Sequence, residues 1–349
     1  MCFFDVKNQD KPEVFMAELV KVALDAMGGD NAPYEIVKGA VDALKASDNV
    51  SIYLVGYEDK VNAELAKYEY DKNRIKVINS TEMIEMAEPP VAAIRKKKDS
   101  SLVRALQLVK DGECDAIISG GNSGALLVGG QLIVGRLPGV ERAPFAPLIP
   151  TEKGPVLMLD CGANVDARPE HLVSFAKMGA IYASNALNKK NPTVGIVNIG
   201  AEEEKGNALV KGTFPLLKEC KDINFVGSVE SREIPRGNVD VVVCEAFVGN
   251  VILKLYEGLA SVLVSQIKKG MMSTLKSKIG ALLAKPALKK TLKRFSMDEH
   301  GGAPLLGLNG LVVKVHGSAK SVEVKNAIIQ CETFKKLRIK EQISENLNA

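Results

Sequence analysis

The stretch Val22-Ala-Leu-Asp-Ala-Met-Gly-Gly-Asp-Asn-Ala-Pro33 decides the fold class of this chain. An apolar run ends in an aspartate and two glycines, and helical periodicity then begins at Tyr34, with Asn31 as the expected cap and Pro33 near the first turn. A strand that passes through a glycine turn into a helix is typical of α/β proteins. The two glycines also leave backbone N–H groups unshielded, which suits an anion site.

The same alternation of strand and helix recurs along the chain and predicts an α/β fold with three layers, α/β/α. The predicted sheet is mostly parallel and Rossmann-like, and parallel sheets of this kind place ligand sites at the carboxyl ends of their strands. Strands are predicted at residues 20–25, 50–55, 74–78, 116–119, 156–160, 193–198, 224–226, 239–243 and 311–315. Helices are predicted at residues 34–44, 102–109, 170–186, 208–218 and 318–343. The proline-rich segment 143–151 is interpreted as a hinge between two halves or as a surface loop.

Length and composition exclude several classes of protein. The chain has 349 residues, and its six cysteines form no Cys-x-x-Cys pair, so neither a structural zinc site nor a disulfide framework is expected. Cys114, Cys161 and Cys244 lie in or beside apolar strands and are interpreted as small buried side chains. The longest uncharged stretch, 116–135, is rich in glycine, so no membrane span is expected. Residues 1–19 form a predicted extension without an export signal, and residues 20–349 form the α/β domain.

Positive charge is concentrated in one segment. The chain carries a formal net charge of +4, but residues 258–297 contain eight lysines and one arginine without an acidic residue. The segment combines an apolar stripe with a cationic face at helical spacing, and Pro286 is expected to divide it into two helices. Three partners stay open for this basic helical arm: a dimer mate, an anionic lipid surface and an acidic carrier protein. A solvated arm without a partner is the remaining alternative. Its surface candidates are Lys285, Lys289, Lys290, Lys293 and Arg294.

Four strand-to-helix turns carry groups that suit an anionic substrate. The turn 119–124 combines glycine amides with a hydroxyl and a helix start, although such turns also serve close packing alone. Lys205 lies between two glycines near another helix start, in a loop that also reads as a solvated acidic loop. Asn164 offers both a donor and an acceptor or caps its own loop, and Glu245 is a candidate acid, base or orienting group for Lys205. The candidate phosphate- or substrate-binding residues are Asp25, Gly28, Gly29, Ser119, Gly120, Gly121, Asn122, Ser123, Gly124, Asp160 and Asn250.

Six ordered blocks give the chain a family resemblance. They read VALDAMGGDNAP (22–33), SGGNSGAL (119–126), LDCGANVDARPEHLVSFAKMGAIYA (159–183), VNIGAEEEKGN (197–207), VDVVVCEAFVGNVILKLYEG (239–258) and GGAPLLGLNGLVVKVHGS (301–318). Together they resemble the bacterial phosphate acyltransferases of phospholipid synthesis, the PlsX family. The chain departs from the family pattern at Glu245–Ala246, where Asp-Gly is usual, and at Ser123, where Thr is usual.

The resemblance implies a fold related to the phosphotransacetylases and a cytoplasmic homodimer, at most peripheral at the inner face of the membrane. It implies transfer of a fatty acyl group from acyl carrier protein to inorganic phosphate, and an acyl phosphate that a membrane glycerol-3-phosphate acyltransferase consumes. No cofactor, metal or nucleic acid is implied.

For this reaction we expect direct attack by phosphate, without an acyl-enzyme. Lys205 is then the electrostatic clamp, and the turn Ser119–Gly124 is the cradle. The glycine-turn amides, Ser123, Asn164 and Lys205 are the groups expected to relieve repulsion around phosphate, align it with the thioester and donate to the developing oxyanion. Two other functions remain open. A nicotinamide-dependent dehydrogenase would need a glycine fingerprint followed by an acidic residue about 20 positions later. A noncatalytic membrane scaffold would bind through the basic arm, and its glycine turns would have no catalytic role.

Overall fold

Two sheets with helices on both faces make up the fold seen in a computed structural model, which describes residues 19–295 and 301–347. The strands are β1 Val20–Asp25, β2 Val50–Gly56, β3 Ile75–Asn79, β4 Ala116–Ser119, β5 Leu148–Ile149, β6 Val156–Leu159, β7 Thr193–Asn198, β8 Asn224–Glu230, β9 Val241–Val243, β10 Ala303–Leu305 and β11 Leu311–Lys314. The helices are α1 Tyr34–Ala46, α2 Glu58–Leu65, α3 Pro90–Lys96, α4 Ser101–Lys110, α5 Ser123–Gly129, α6 Pro169–Ala186, α7 Ala208–Glu219, α8 Ala246–Met271, α9 Leu275–Arg294, α10 Ser321–Lys336 and α11 Ile339–Leu347.

The first sheet has the strand order β10-β11-β4-β1-β2-β3. Alternation along β1 sends Val22 and Leu24 into the core beneath α1 and α10, while Ala23 faces α4 and α5 on the other side. All its pairings are parallel except that of β10 with β11. The carboxyl ends of β1, β4 and β11 therefore meet at one edge.

The second sheet has the order β5-β6-β9-β7-β8 and is parallel except at β5. Leu157 and Leu159 of β6 pack under α6, α7 and α11, whereas Met158 packs with the first half of α8. The α/β class and the mostly parallel strands are confirmed, but the strands divide between two sheets instead of one. The two strands that the sequence did not indicate, β5 and β10, are short and antiparallel.

Segment 143–150 joins the two sheets and is buried throughout, so the interpretation as a surface loop was wrong. Phe145 forms a bridge to Leu305 of β10, and its backbone N–H donates to the Asp160 carboxylate beyond β6 at 3.0 Å. Its backbone carbonyl accepts from the Cys161 N–H at 3.1 Å. Prolines suit this segment because it lies between the sheets and needs few ladder hydrogen bonds.

Helices α8 and α9 contain most of the described part of the basic segment 258–297 and together form the basic arm. Residues 261–270 are all exposed, and the two helices separate at Ser273–Thr274. Pro286 lies inside α9 and does not divide the arm, so that prediction was wrong. The carbonyl that loses its i→i−4 partner belongs to Leu282, whose side chain is 71% exposed, and water can serve a carbonyl on such a surface.

Helix α8 is also long and apolar enough to cross a membrane by length and composition alone, with little of it buried. The expectation that no segment meets this criterion was therefore wrong. A search for uncharged stretches missed α8 because Lys254 and Glu257 interrupt it, yet these two charges pair with each other at 2.8 Å.

Candidate functional site

Asp25, the last residue of β1, organises the turn that follows it. Its buried carboxylate accepts hydrogen bonds from the Ser101 hydroxyl at 2.6 Å, the Ser119 hydroxyl at 2.7 Å and the Met27 N–H at 3.3 Å. Burial raises the pKa of Asp25, and these hydrogen bonds oppose the rise. Since Ser119 ends β4, the buried Asp25 carboxylate ties the turns after β1 and β4 together.

Three turns of the first sheet pack backbone against backbone. Gly29 has a φ of +107°, and a Cβ placed there would lie 2.8 Å from the carbonyl oxygen of Gly317, in the turn after β11. A Cβ at Gly120 would likewise lie 2.9 Å from the carbonyl oxygen of Gly28. Side chains larger than hydrogen would separate these turns.

Asn31 links the same turns, and the prediction that it caps α1 was wrong. Pro33 occupies the N-cap position, and the Asn31 amide donates instead to the carbonyls of Ser318 at 3.1 Å and Ala319 at 3.3 Å. The polar residue that the sequence assigned to a local cap is therefore used for a contact between distant segments.

Asn122 fixes the start of α5. Its side-chain oxygen accepts from the Ala125 N–H at 2.9 Å, and its amide donates to the carbonyls of Glu85, Met86 and Glu88 at 3.2, 3.1 and 2.9 Å. Asn122 therefore holds the 85–88 loop as well as the helix. Gly121 precedes Asn122, and Ser123, which lies between Asn122 and Gly124, lines a cavity.

Lys314 enters the same cavity from the end of β11. Its ammonium donates to the carbonyl oxygens of Gly120 at 2.9 Å and Val315 at 2.6 Å. Burial lowers the pKa of Lys314 to about 8. The sequence predicted the strand that carries this lysine, but it indicated no role for the lysine. The sequence did hold one signal for it, a lysine between two valines in a predicted strand, because an ammonium in such a strand is partly buried.

In the second sheet, Asp160 shapes the turn after β6. It is fully buried and accepts from the backbone N–H groups of Phe145, Ala163 and Asn164 and from the Asn164 side-chain amide. Burial raises the pKa of Asp160 to about 6, against these hydrogen bonds. The Asn164 amide also donates to the Ala143 carbonyl at 2.9 Å, so its donors are engaged.

The start of α8 approaches this turn closely. The Glu245 carboxylate caps the helix by accepting from the N–H groups of Phe247 at 2.6 Å and Val248 at 2.8 Å. A Cβ at Gly249 would lie only 1.9 Å from the Asp160 carbonyl oxygen. Asn250 follows, and its side-chain oxygen would be 3.5 Å from a Cβ at Gly162, so these two residues are adjacent in the cavity wall.

The cavity between the two sheets and the arm measures about 1930 Å³ and has two kinds of lining. The polar end is made by Ser123, Gly162, Asn250, Lys314 and His316. The walls from α8 and α9 are mainly apolar but also carry five lysines, Lys254, Lys268, Lys278, Lys285 and Lys289. Their apolar side chains include Leu253, Ala260, Val264, Ile267, Leu282, Leu288 and Leu292. This volume exceeds the 300–1,000 Å³ or so that is common for small-molecule pockets, so the space suits a long ligand with one polar end.

Of the predicted catalytic and substrate-binding residues, Ser123 and Asn250 line the cavity, whereas the others, including Lys205, Asn164 and Glu245, do not. The Lys205 ammonium pairs with the Glu202 carboxylate at 2.8 Å, and its side chain is 50% exposed. This contact raises the pKa of Lys205. The loop belongs to β7, which β9 separates from β6, so Lys205 lies two strands from the Asp160 turn.

The predicted surface residues of the arm also differ in whether they line the cavity. Lys285 and Lys289 line the cavity, and Lys290 is exposed on the same helix. The side chains of Lys293 and Arg294 lie outside the described residues, as does the extension 1–18. Cys114, Cys161 and Cys244 are buried, as the sequence predicted, and Cys161 lines the cavity.

Known proteins match this chain over most of its length. The family described as "Fatty acid synthesis protein" matches residues 20–341. A phosphate acyltransferase of Clostridium botulinum is 50% identical over 327 residues, which cover 93% of this chain and 98% of that protein. One of Clostridium beijerinckii is 51% identical over 316 residues, covering 90% and 95%. Among solved structures, a phosphotransacetylase from Streptococcus pyogenes has a TM-score of 0.58 at 16% identity, covering 91% of this chain and 94% of its own, which confirms the fold.

Proposed function

This chain belongs to the fatty acid synthesis protein family and is a phosphate acyltransferase, and we propose that it transfers a fatty acyl group from acyl carrier protein to inorganic phosphate. The product would be an acyl phosphate for phospholipid synthesis. The observation that carries this proposal is the cavity with a polar end at the sheets and apolar walls on α8 and α9. A fatty acyl phosphate has the same division into one anionic end and a long apolar chain.

The chemistry asks for positioning more than for strong acid or base. Phosphate is already anionic at neutral pH and nucleophilic, and a thiol with a pKa of about 8.5 is a good leaving group. A phosphate oxygen bonds to the thioester carbon, the carbon–sulfur bond breaks, and the sulfur leaves with the electron pair. The site then has to align the two substrates and stabilise the oxyanion, for which one preorganised donor contributes about 2.7–4 kcal/mol.

We propose direct transfer without an acyl-enzyme. Cys161 is the cysteine that lines the cavity among the described residues, and burial raises its pKa well above the usual value, which keeps the thiol protonated. A protonated buried thiol is a poor nucleophile. This favours attack by phosphate itself over a covalent cysteine intermediate.

The roles of Lys205, Asn164 and Glu245 in the reaction stay predictions. For Lys205 to hold phosphate, its ammonium must exchange the Glu202 carboxylate for the substrate. The Glu245 carboxylate already caps α8 within its own turn, and the Asn164 amide already donates to the Ala143 carbonyl and the Asp160 carboxylate, which suits residues that position the site.

The arm supports a further part of the proposal, which concerns partners and location. We propose that the chain is a cytoplasmic homodimer whose arm contacts anionic membrane, near a glycerol-3-phosphate acyltransferase that takes up the product. The exposed apolar side chains of the arm include Leu255, Leu259, Leu263, Leu275, Leu282 and Leu283. Large exposed apolar surfaces with lysines around them are typical of protein or membrane contacts.

The proposed reaction is tested by incubating the protein with acyl carrier protein thioester and phosphate and trapping acyl phosphate with hydroxylamine. The expected product is a fatty acyl hydroxamate that requires both phosphate and protein. The proposal fails if hydroxamate forms equally without added phosphate, or if no acyl group leaves the carrier protein. Sedimentation velocity tests the dimer separately.

A further inference from the structure

Lys314 holds its ammonium in a fixed position at the carboxyl end of the first sheet. The carbonyl oxygens of Gly120 and Val315 accept two of its N–H groups, at 2.9 and 2.6 Å. An ammonium has three donors. Within residues 19–295 and 301–347 no carboxylate oxygen lies at ion-pair distance from it, so one donor remains for a ligand in the cavity.

This lysine differs from the other cationic residues around the cavity. The remaining lysines of the described lining, Lys254, Lys268, Lys278, Lys285 and Lys289, are on α8 and α9. Lys314 alone is on a strand, and it shares the polar end with Ser123 and Asn250. It is therefore the cation that lies where the two sheets and the cavity meet.

Taking the transfer to phosphate as given, we propose that the Lys314 ammonium binds inorganic phosphate at the polar end and holds it against the acyl thioester. Partial burial strengthens the attraction, because a cation away from bulk water interacts more strongly with an anion. The two carbonyls fix its direction, so little side-chain freedom is lost on binding. Lys205, by contrast, is half exposed and already paired.

Four charged side chains of the protein influence the Lys314 ammonium. Asp25 ends β1, Asp30 is in the turn after it, Glu323 is on α10, and Lys254 is on α8. Burial is the largest influence and lowers the pKa of Lys314 to about 8, so the free enzyme loses this charge as the pH rises above that value. Bound phosphate favours the charged form, so the loss occurs at higher pH in the complex.

The test compares Lys314→Gln and Lys314→Arg with wild type and with Lys320→Gln, an exposed lysine outside the cavity lining, just beyond the same turn. Hydroxamate trapping gives KM for phosphate and KM for the acyl carrier protein thioester between about pH 6.5 and 9.5. Equilibrium dialysis of radiolabelled inorganic phosphate, without acyl donor, measures binding independently of turnover.

We expect Lys314→Gln to raise KM for phosphate and weaken phosphate retention by about 10- to 100-fold, the loss for one charged hydrogen bond. KM for the carrier protein thioester should change little. In wild type, KM for phosphate should rise above about pH 8. In Lys314→Arg this rise should be absent, because a guanidinium stays charged. Lys320→Gln should behave like wild type.

Unchanged KM and retention of phosphate in a folded Lys314→Gln variant would overturn the assignment. So would an increase confined to KM for the carrier protein thioester, which would place the lysine on the acyl donor instead. If the glutamine variant does not fold, the pH profiles of wild type and Lys314→Arg decide, and identical profiles reject the proposal. Wild-type protein that yields no hydroxamate would refute the proposed function, whereas phosphate dialysis still tests Lys314.

Discussion

Replacing Gly249 with alanine should damage both stability and activity through one backbone contact. The added Cβ would lie 1.9 Å from the carbonyl oxygen of Asp160 and 3.0 Å from the sulfur of Cys244. Carbon and oxygen that are not bonded do not approach closer than about 3.0 Å, so α8 must move away from the β6 turn by roughly 1 Å. Neither backbone can relieve the contact by changing a rotamer.

The size of the effect follows from two opposing contributions. Overpacking of this kind costs about 1–3 kcal/mol, and alanine recovers about 1 kcal/mol of helix propensity. A net loss of up to about 2 kcal/mol is therefore expected. The shift also moves Asn250 relative to Gly162, and a misplacement of about 1 Å can reduce turnover by about 100-fold.

Gly258 offers a matched control in the same helix, because a Cβ there meets no atom within 4 Å. Gly258→Ala should gain up to about 1 kcal/mol and keep wild-type turnover. Urea unfolding and hydroxamate formation are measured for both variants. If Gly249→Ala matched Gly258→Ala in stability and turnover, the proposed close approach of α8 to the β6 turn would be refuted.

Four further predictions test other parts of the molecule. Lys205→Ala should sharply lower phosphate-dependent transfer without unfolding the chain. Lys218→Ala removes a similar ion pair with the same loop and should leave transfer unchanged. Equal turnover in the two variants would remove Lys205 from the mechanism. Asn122→Ala should lower the free energy of unfolding by about 2–3 kcal/mol, and Asn122→Ser should lower it by less, because serine keeps the helix cap. Equal losses of stability in urea unfolding would contradict this prediction. Pro286→Ala should stabilise α9 locally by up to about 3 kcal/mol, which hydrogen exchange would measure as slower exchange of the α9 amides. Unchanged exchange rates would count against a continuous α9. Replacing three arm lysines with glutamine should reduce sedimentation with anionic vesicles at low salt, and binding insensitive to salt would argue against an electrostatic contact. These lysines are Lys285, Lys289 and Lys290.

Local patterns in the sequence predicted the elements well. Each of the nine predicted strands is present, because alternating or continuous apolar runs reflect the burial of the strand itself. The missed strands, β5 and β10, are two and three residues long, too short to show a period. The turn residues were also found from the sequence, since glycine and asparagine after a strand are local signals.

The partners of those residues were not predictable from the sequence. Asn31 was assigned to a local cap, yet its amide reaches the turn after β11, almost 290 positions away. Lys205 was favoured as the clamp because glycines surround it, but the strand order places β9 between its strand and β6. Pro286 predicted a break in the arm, and the exposed surface of α9 tolerates it.

The sequence by itself determined the strand–turn–helix units, the family and the chemical character of the turns, because each depends on residues that are neighbours along the chain. The tertiary structure alone decided that the strands divide into two sheets and that segment 143–150 is buried between them. It also decided that Lys314 enters the cavity. The physical reason is that periodicity records which face of an element is buried, whereas the partner of that face is set by packing between distant segments.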